Sequence, residues 1–565
     1  PIDDVRPIGN GSLQLDTRAE GLTTDIPTGL NWVQTSGYAT VGDGGGGLYE
    51  RVVSEPSHPG KFQSNDGAWW ELVSGPEGAN VRAFGGLETS ADIGAAIIDA
   101  FDYLPDSGGI IRVPVGSYTW SAEAARTVAQ MKEDVVFDFR GAFFDCTHDG
   151  VALNLASDWD PSSPTTERRI RVTGGEFKNS NASKTASIAI KARGMRLFEV
   201  TGATFGDTAL VGTGFNTAID VSAKDTYRIV GNYFYNNEIS VRNPAAATAS
   251  ADKTLLLVIR ENHFSINTKV NGILIEDSTE NVIIEGNAIA GATTAGSILI
   301  KDHSLSASEN IAINRNRIEQ MDATGAVVFS DTNGNGFFDI ELVGNQISSA
   351  TAGWKGVILD NCRGVYVRSI FQDGSGGSTE VGIQVDSDSR SIVVWDGISQ
   401  SQTSPYFLGM STPIDLTTAS GTRASVMVMP NVINFDSQAI DDGTTDISSQ
   451  TGASTAGQVT IDMSAIGVSA IANSILPPIA YDISVTANDS GSAASTGNTR
   501  VIIHKPGGSL SRGVASVKLD GVPNDQERTV QGKVYADTSG DISRVLTASG
   551  SGTLDFDARL VTVHR

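Results

Sequence analysis

Three aspartates recur at the ends of short apolar segments in the middle of the chain. Asp277, Asp302 and Asp331 close the segments GILIED, GSILIKD and GAVVFSD, which each begin with glycine and alternate apolar residues. If these segments stack as neighbouring strands, about 4.8 Å apart, the aspartates form a column. Carboxylates one strand apart match the roughly 5 Å separation of retaining glycosidases, and carboxylates two strands apart match the roughly 6.5–9.5 Å of inverting ones.

The close spacing of the aspartates in this column would allow acid–base chemistry. Neighbouring carboxylates raise one another's pKa, so that one stays protonated as a general acid while its partner is ionised. The alternative is that each aspartate only ends a strand and accepts hydrogen bonds from the turn backbone. Glu276 and Lys301 stand beside the column, and Asp360 falls in the neighbouring one. The predicted catalytic residues are Asp277, Asp302, Asp331, Glu276 and Asp360.

A lyase is the second chemistry that these residues allow. Such an enzyme needs a base to remove a proton beside a uronic carboxylate, and a cation to neutralise that carboxylate. His303 is a candidate base, and Lys301 and Arg315 are candidate cations. For His303 the alternative is a solvated turn residue.

The segment DTNGNGFFD resembles a calcium-binding loop. Asp331, Asn333, Asn335 and Asp339 occupy its first, third, fifth and ninth positions, where such loops place oxygen ligands. The twelfth position holds Leu342 instead of the usual glutamate. The sequence therefore leaves two readings, a structural calcium site or a turn between strands, and it calls for no cofactor beyond that calcium.

Basic and aromatic residues supply candidate substrate contacts. Between Glu167 and Arg196 the chain has eight Lys or Arg and two Glu, which suits an acidic polysaccharide or simply a solvated face. Three tryptophans lie in expected turns, where they either stack on sugar rings or pack on the fold. The predicted substrate-binding residues are Trp354, Trp395, Trp159, Arg193 and Lys301.

A repeat of 25 to 30 residues must position these side chains. VTGGEF, VTGATF, IVGNYF, IRENHF, IEGNAI, INRNRI and LVGNQI follow one another at that spacing, which is typical of a solenoid. Each repeat adds an apolar alternation such as GILIED, so two short strands and two turns describe one coil of a parallel β-helix. Asparagines two residues before the last apolar residue are predicted to shape a sharp bend, because Asn tolerates the left-handed backbone region. They are Asn232, Asn262, Asn287, Asn316 and Asn345.

The flanking regions complete the predicted architecture. TSADIGAAIIDAFDYLP predicts a short amphipathic helix, with Thr89 or Ser90 as its N-cap, that covers the open end of the solenoid. From about Pro405 the repeat stops and alternating strands suggest a β-sandwich. The prediction is an all-β protein, with an N-terminal cap and attachment region at 1–79, a right-handed parallel β-helix at 80–404 and a C-terminal β-sandwich-like domain at 405–565.

Composition excludes two classes of partner. The 565 residues carry a formal charge of −25, whereas binding to nucleic acid needs a basic surface. The sequence also has no secretion signal and no apolar run long enough to span a bilayer, so we expect no membrane insertion.

Two segments resemble known β-helix proteins. VRAFGGLETSADIGAAIIDAFDYLPDSGGIIRVPVGSYTW resembles the opening of pectate-lyase-like β-helix proteins, although GLETS replaces the usual GDG-containing turn. GYATVGDGGGGLYERV resembles the segment that precedes the β-helix of bacteriophage tailspikes. The resemblance covers roughly residues 30 to 400. It implies a homotrimer on the virion tail, outside the cell, that is attached through its N-terminus to a tail or baseplate protein.

The resemblance also implies a function. A tailspike binds, and usually cleaves, a bacterial surface polysaccharide such as a capsule, an exopolysaccharide or an O-antigen. Together with the carboxylate column, this predicts an endo-acting glycoside hydrolase. The alternatives are a polysaccharide lyase on the same fold, a non-cleaving receptor-binding fibre, and a secreted bacterial adhesin.

Overall fold

The computed structural model divides into two compact units, Pro1–Trp354 and Lys355–Arg565. Beyond residue 395 it describes only the backbone of the strands given below, apart from a few side chains. The residues described before that point are 6–8, 12–73, 75, 78–159, 166–207, 213–222, 225–244, 254–276, 279–293, 295–302, 307–320, 325–373, 380–386 and 388–395.

The first unit contains a parallel β-helix, which confirms the all-β fold class. Each coil has three strands, not the predicted two, because the motif read as one strand contains a corner. In VTGGEF the corner falls at Gly174 and Gly175, which both have a positive φ, so the motif ends one strand and begins the next. The coils therefore build three parallel sheets, called here the first, second and third sheet in chain order.

The three sheets take one strand from nearly every coil. The first sheet consists of Ala79–Asn80, Gly108–Arg112, Asp134–Asp138, Thr166–Thr173, Met195–Thr201, Thr226–Val230, Leu256–Arg260, Val282–Glu285, Ser308–Asn314 and the first half of Phe337–Ser349. The second sheet consists of Gly116–Trp120, Ala142–Cys146, Glu176–Asn179, Thr204–Phe205, Tyr233–Tyr235, His263–Lys269, Ala288–Thr293, Arg317–Gln320 and the second half of Phe337–Ser349. The third sheet consists of Ala124–Arg126, Val151–Leu155, Ile188–Arg193, Thr217–Ser222, Ile239–Asn243, Asn271–Ile275, Ile298–Lys301 and Val327–Ser330.

Stacked rings of the second sheet form part of the core. Their centroids lie 4.8 to 5.2 Å apart from one coil to the next, in the offset stacking that aromatic pairs prefer. Buried isoleucines continue the stack, so the last apolar residue of each repeat is a core residue. The stacked rings belong to Phe144, Phe177, Phe205, Phe234 and Phe264.

The predicted asparagines do line the corner between the first and second sheets, but for another reason. The positive φ, between 55° and 68°, belongs to the residue before each asparagine, which is Gly231, Glu261, Gly286, Arg315 or Gly344. Each asparagine is buried and links coils through its side chain. The Asn287 amide donates to Ile259 O and to Asn316 Oδ1, both at 2.9 Å, and the backbone N–H of Asn287 donates to the same Oδ1.

A helix covers the first coil, as expected. It spans Ile93–Tyr103, and its N-cap is Asp92, not Thr89 or Ser90, because the Asp92 carboxylate accepts from the N–H groups of Gly94 and Ala95. The ring of Phe101 stacks on that of Phe137 inside the coil, with centroids 6.2 Å apart.

The N-terminal strands form a separate six-stranded sheet. It is tied to the cap, since the Tyr103 hydroxyl donates to Leu72 O at 2.7 Å. The strands, in spatial order, are Arg6–Ile8, Ser12–Leu15, Trp32–Thr35, Leu48–Val52, Trp69–Leu72 and Lys61–Gln63. The remaining helical segments are Arg18–Thr23 and the 3-10 turns Val81–Phe84 and Val128–Gln130. No helix in the described ranges is long and apolar enough to cross a membrane.

The second unit begins with parallel strands and ends with antiparallel ones. Parallel pairing continues past residue 404, the predicted domain boundary. The parallel strands are Lys355–Leu359, Cys362–Asp373, Val381–Val385, Arg390–Trp395, Phe407–Leu408, Thr412–Asp415, Val426–Met429 and Ile440–Asp441. One antiparallel sheet comprises Gln450–Ser454, Leu554–His564, Ile479–Asp489 and Ser495–Ile503, and the other comprises Gln458–Asp462, Ile542–Thr547, Thr529–Ala536 and Val514–Lys518.

Candidate functional site

Two of the three aspartates of the predicted column follow strands of the third sheet and lie on adjacent coils, as expected. Lys301 and Ser330 are register partners on adjacent coils, so the residues that follow them, Asp302 and Asp331, also lie on adjacent coils. Asp277 and His303 lie outside the described residues. The catalytic role of this column stays a prediction.

Asp302 closes the turn of the next coil. It is 3% exposed, and its carboxylate accepts from Thr332 N at 2.7 Å, Thr332 Oγ1 at 3.2 Å, Asn333 N at 2.9 Å and Asn333 Nδ2 at 3.1 Å. Burial and a hydrogen bond with the Asp331 carboxyl raise the pKa of Asp302. Most lone pairs of Asp302 are, however, already used by the turn.

Hydrogen bonds to Asp302 and Asp331 also close the segment that resembles a calcium loop. Asp331 Oδ1 accepts from Asn333 N at 3.2 Å and from Gly334 N at 2.7 Å, while the Asn333 amide donates to Asp302. Asp339 is exposed and lies within the strand Phe337–Ser349. Two of the four predicted ligands therefore bond within the turn, and no group of three or more His, Cys, Asp or Glu side chains that could hold a metal ion occurs among the described residues. Calcium at Asp331, Asn333, Asn335 and Asp339 stays a prediction.

Charged partners hold the other predicted residues of the third sheet. Glu276 pairs with Arg242 at 2.9 Å and with Lys301 at 3.0 Å. Burial alone would raise the pKa of Glu276, but the hydrogen bonds from Lys301 and Arg242 hold that pKa below its usual range. Arg193 pairs in the same way with the buried Asp220. Both cations predicted to bind substrate thus already contact a carboxylate.

The three tryptophans have different environments. Trp354 is fully buried, so no sugar ring reaches its face and its predicted stacking role is wrong. Trp159 is half-buried against Gly194, where an added Cβ would lie 2.1 Å from the indole Nε1. The Trp395 side chain lies outside the described residues. Asp360 is half-buried in the second unit, just after the strand Lys355–Leu359.

The outer side of the second sheet carries a row of side chains that sequence reasoning missed. Phe143, Glu176, Thr204, Tyr233 and His263 are register partners on five consecutive coils. Phe143 is 47% and Tyr233 49% exposed. Each of the five directly precedes a residue of the phenylalanine stack, so the alternation of the strand turns it outward. That position was a signal available in the sequence.

Three rings on the outer side of the second sheet form one patch, two of them from this row and the third from Tyr235. The Tyr233 and Tyr235 rings stack with centroids 6.4 Å apart, and His263 lies 5.9 Å from Tyr233 and 6.1 Å from Tyr235. Aromatic rings with polar tips combine an apolar face with hydrogen-bonding groups, which suits the alternating C–H and hydroxyl surface of a sugar. We call Phe143, Glu176, Asp207, Tyr233, Tyr235 and His263 the acid–aromatic face.

Two acidic residues lie near the rings, Glu176 and Asp207, and the backbone carbonyl of Asp207 accepts from Asn236 Nδ2 at 2.9 Å. Burial, and then the nearby charge of Asp207, raise the pKa of Glu176, while Lys178 opposes the rise. Tyr235 is close to the same group, since burial, Tyr233 and Glu176 raise the pKa of its hydroxyl. Glu176 is only half-buried. A carboxyl that holds its proton beside a second carboxyl can act as a general acid.

The fold defines the class, a parallel β-helix protein with a capped end. No family model and no curated protein matches the chain. In structure it is similar to the tailspike protein of Acinetobacter phage vB_ApiP_P1, at 11% identity over 98% of this chain and 99% of that chain, with a TM-score of 0.39.

Two further solved structures are similar to the chain. Tailspike protein gp49 from Acinetobacter baumannii bacteriophage Fri1, a capsular polysaccharide depolymerase, has 12% identity over 97% of this chain and 99% of that chain, with a TM-score of 0.43. The family 28 exopolygalacturonase of Yersinia enterocolitica has 13% identity over 65% of this chain and 79% of that chain, with a TM-score of 0.36.

Proposed function

We propose that this chain is a phage tailspike that binds a bacterial surface polysaccharide and hydrolyses it as an endo-acting glycoside hydrolase. The observation that carries the proposal is Glu176, a half-exposed carboxyl with a raised pKa, beside Asp207 and the exposed rings of Tyr233 and Tyr235. The resemblance of the cap to pectate-lyase-like proteins, and of the segment before it to bacteriophage tailspikes, supports the choice of a bacterial polysaccharide as substrate.

The mechanism assigns one role to each carboxyl. Glu176 donates its proton to the glycosidic oxygen, and the bond from that oxygen to the anomeric carbon breaks. Asp207 acts on the other side of the sugar, either as the nucleophile or as the base that takes a proton from the attacking water. Water is added across the bond in both cases. The stereochemistry of the product distinguishes the two roles.

The Asp302–Asp331 pair is a second candidate for the same reaction. The observation in its favour is that the two carboxyls lie on adjacent coils, where the Asp331 carboxyl helps to raise the pKa of Asp302. Asp331 is half-buried, whereas Asp302 is nearly inaccessible. Asp331 would therefore contact the substrate, and Asp302 would be a positioning residue.

Assembly and metal binding belong to the same proposal. The chain forms a homotrimer through residues 405–565 and attaches to the virion tail, outside the cell, through residues 1–79. Sedimentation of the purified chain as a monomer at micromolar concentration would contradict the trimer. Calcium at Asp331 predicts that a chelator lowers the melting temperature of the unmodified protein and leaves that of Asp331→Asn unchanged.

The direct test is cleavage of purified polysaccharides. We expect the full chain to shorten at least one member of a panel of bacterial capsules, exopolysaccharides and O-antigens, releasing new reducing ends. Products that absorb in the ultraviolet would identify a lyase instead. Binding without new ends would identify a non-cleaving fibre. Glu176→Gln and Asp331→Asn, compared on the susceptible polysaccharide, decide between the two carboxyl pairs.

A further inference from the structure

An open cavity of about 390 Å³ lies on the outer side of the first sheet. Its volume falls within the range of small-ligand pockets, roughly 300–1,000 Å³. Four of the side chains around it are arginines, although the chain as a whole carries a charge of −25. The lining residues are Arg169, Arg171, Arg196, Leu197, Asp225, Thr226 and Arg228.

The register of the first sheet brings these arginines together. Arg171 pairs with Glu199, and Glu199 pairs with Arg228, so the two arginines stand two coils apart, or about 9.6 Å at a strand spacing of 4.8 Å. Arg169 begins the next row, in register with Leu197. Arg228 lies outside the basic segment between Glu167 and Arg196, and only the stacking of coils adds it to the group.

Three of the four arginines of the cavity have weak ion pairs or none, whereas Arg196 contacts the Glu167 carboxylate. Arg171 lies 3.5 Å from Asp134, and Arg171 and Arg228 both lie 3.9 Å from Glu199, which is near the limit of an ion pair. Arg169 forms no ion pair with any residue in the described ranges. Partly exposed pairs of this kind contribute little. Guanidinium N–H donors of Arg169, Arg171 and Arg228 therefore remain available, and Asp225 is the one carboxylate among the lining residues.

We propose that this cavity binds an anionic substituent, a carboxylate or phosphate group, of the polysaccharide. This inference rests on the proposed function and deepens it, because it makes the substrate an acidic glycan. The chemistry is the planar fork of N–H donors on arginine, which matches the paired oxygens of a carboxylate or phosphate. Arg169 and Arg228, the two most exposed of the aligned residues, present that fork to the ligand.

The test is direct binding by the full chain, measured by calorimetry with three probes: polygalacturonate, inorganic phosphate and neutral dextran. We expect polygalacturonate to bind and dextran not to bind. Raising the salt concentration should weaken the binding, since exposed charges are screened. The double variant Arg169→Ala/Arg228→Ala should bind at least about tenfold more weakly, because it loses two charge-assisted contacts.

The matched control is Arg317→Ala, which removes an exposed arginine of the second sheet that pairs with Glu319. It should bind polygalacturonate like the unmodified chain. Unchanged binding in the double variant, or no binding of polygalacturonate by the unmodified chain, would overturn the inference. Binding of phosphate alone would assign the cavity to the free ion and overturn the glycan assignment. A change in sedimentation of the double variant would make the cavity a subunit contact, which also overturns it.

These outcomes are independent of cleavage. If no polysaccharide in the panel is cleaved but polygalacturonate binds through the arginines, the proposed hydrolysis fails and the anion site stands. If a polysaccharide is cleaved and the double variant binds polygalacturonate normally, the anion site fails and the hydrolysis stands.

Discussion

The acid–aromatic face and the edge of the third sheet both place carboxylates on neighbouring coils, but the carboxylates have different partners. Asp302 accepts four hydrogen bonds from one turn, and Glu276 contacts two cations. Glu176 is half-buried next to exposed rings, with a raised pKa. The comparison shows that a column of acidic residues is not by itself a site. What matters is whether their oxygens remain available to a ligand.

The position within the coil explains this difference. At a corner, backbone N–H groups lack a partner strand, and buried N–H groups need acceptors, so carboxylates there bond to the turn. Asp302 follows a strand and takes this role. Glu176 lies within a paired strand, whose N–H groups are already bonded to the neighbouring coils. Its carboxyl is therefore not needed to satisfy the backbone.

The largest expected effect is that of Glu176→Gln. Cleavage should fall by roughly 10² to 10⁴, the range for loss of a general acid, without loss of stability. The raised pKa means that stability decreases as pH rises from the ordinary glutamate value through the folded pKa. Glutamine removes that decrease, so the melting temperature at neutral pH should stay equal or rise. Reducing-end assays and thermal melts check both expectations.

The control for this variant is Glu319→Gln, which changes a partly exposed carboxylate on the same sheet and should leave cleavage unchanged. Full activity of Glu176→Gln would remove the acid–aromatic face from consideration as the catalytic site.

Asp302→Asn should show the opposite pattern. An amide cannot accept at both positions, so N–H groups of Thr332 and Asn333 lose an acceptor, at a cost of about 1–3 kcal/mol. We expect a lower melting temperature and faster hydrogen exchange in residues 331–336, with cleavage within a few-fold of normal. Glu341→Gln, at an exposed carboxylate of the strand that follows this segment, serves as the control. Lost cleavage with unchanged stability would instead make the third sheet the site.

Tyr233→Ala should weaken substrate binding more than catalysis. Loss of one ring contact, at about 0.5–1.5 kcal/mol, corresponds to a roughly 2- to 13-fold rise in KM with little change in kcat. Kinetics on the susceptible polysaccharide measure this. Tyr366→Ala removes a half-buried tyrosine of the second unit and should behave like the unmodified chain. Equal KM values for the two variants would count against stacking on this face.

Lys178→Met should produce the smallest change, a shift in pH dependence. Lys178 lowers the pKa of Glu176, so its removal raises that pKa. A general acid works only while protonated, so the alkaline limb of the rate profile should move to higher pH. Lys301→Met, which removes a cation from the third sheet, should leave the limb in place. A shift with Lys301→Met alone would transfer the acid to that sheet.

The sequence predicted the fold well because a coil repeats its core residues. Each motif ends in an apolar residue, and most have an asparagine two positions before it. Both positions recur visibly in the sequence, and both are buried. The predicted number of strands per coil was wrong because each repeated motif contains a corner, so that it ends one strand and begins the next. Trp354 shows the same limit, since a turn residue can pack inward and sequence does not say which way it faces.

The candidate site was harder to predict because its residues occupy the same position in successive coils but are different amino acids. The register partners on four successive coils are four different amino acids, Glu176, Thr204, Tyr233 and His263. The sequence therefore shows no repeat at this position. The effect of Asp207 on the pKa of Glu176 crosses from one coil to the next. Such a contact depends on register, which a single sequence does not display. The alignment of Asp302 with Asp331 was predictable because aspartate recurs at the same position in both coils.

The asparagine corner makes the number of coils adjustable. Each asparagine makes the same bonds to its neighbours, so any asparagine of the series can replace the next. Excision of residues 287–315, one period of 29 residues, would join Gly286 to Asn316 and bring Asn316 onto Asn262. A shortened chain should therefore still fold, with Ile318 beneath Phe264. The excision also removes Asp302, and it brings Asp331 one coil nearer to the acid–aromatic face, so the distance between that face and Asp331 can be changed in steps of one coil.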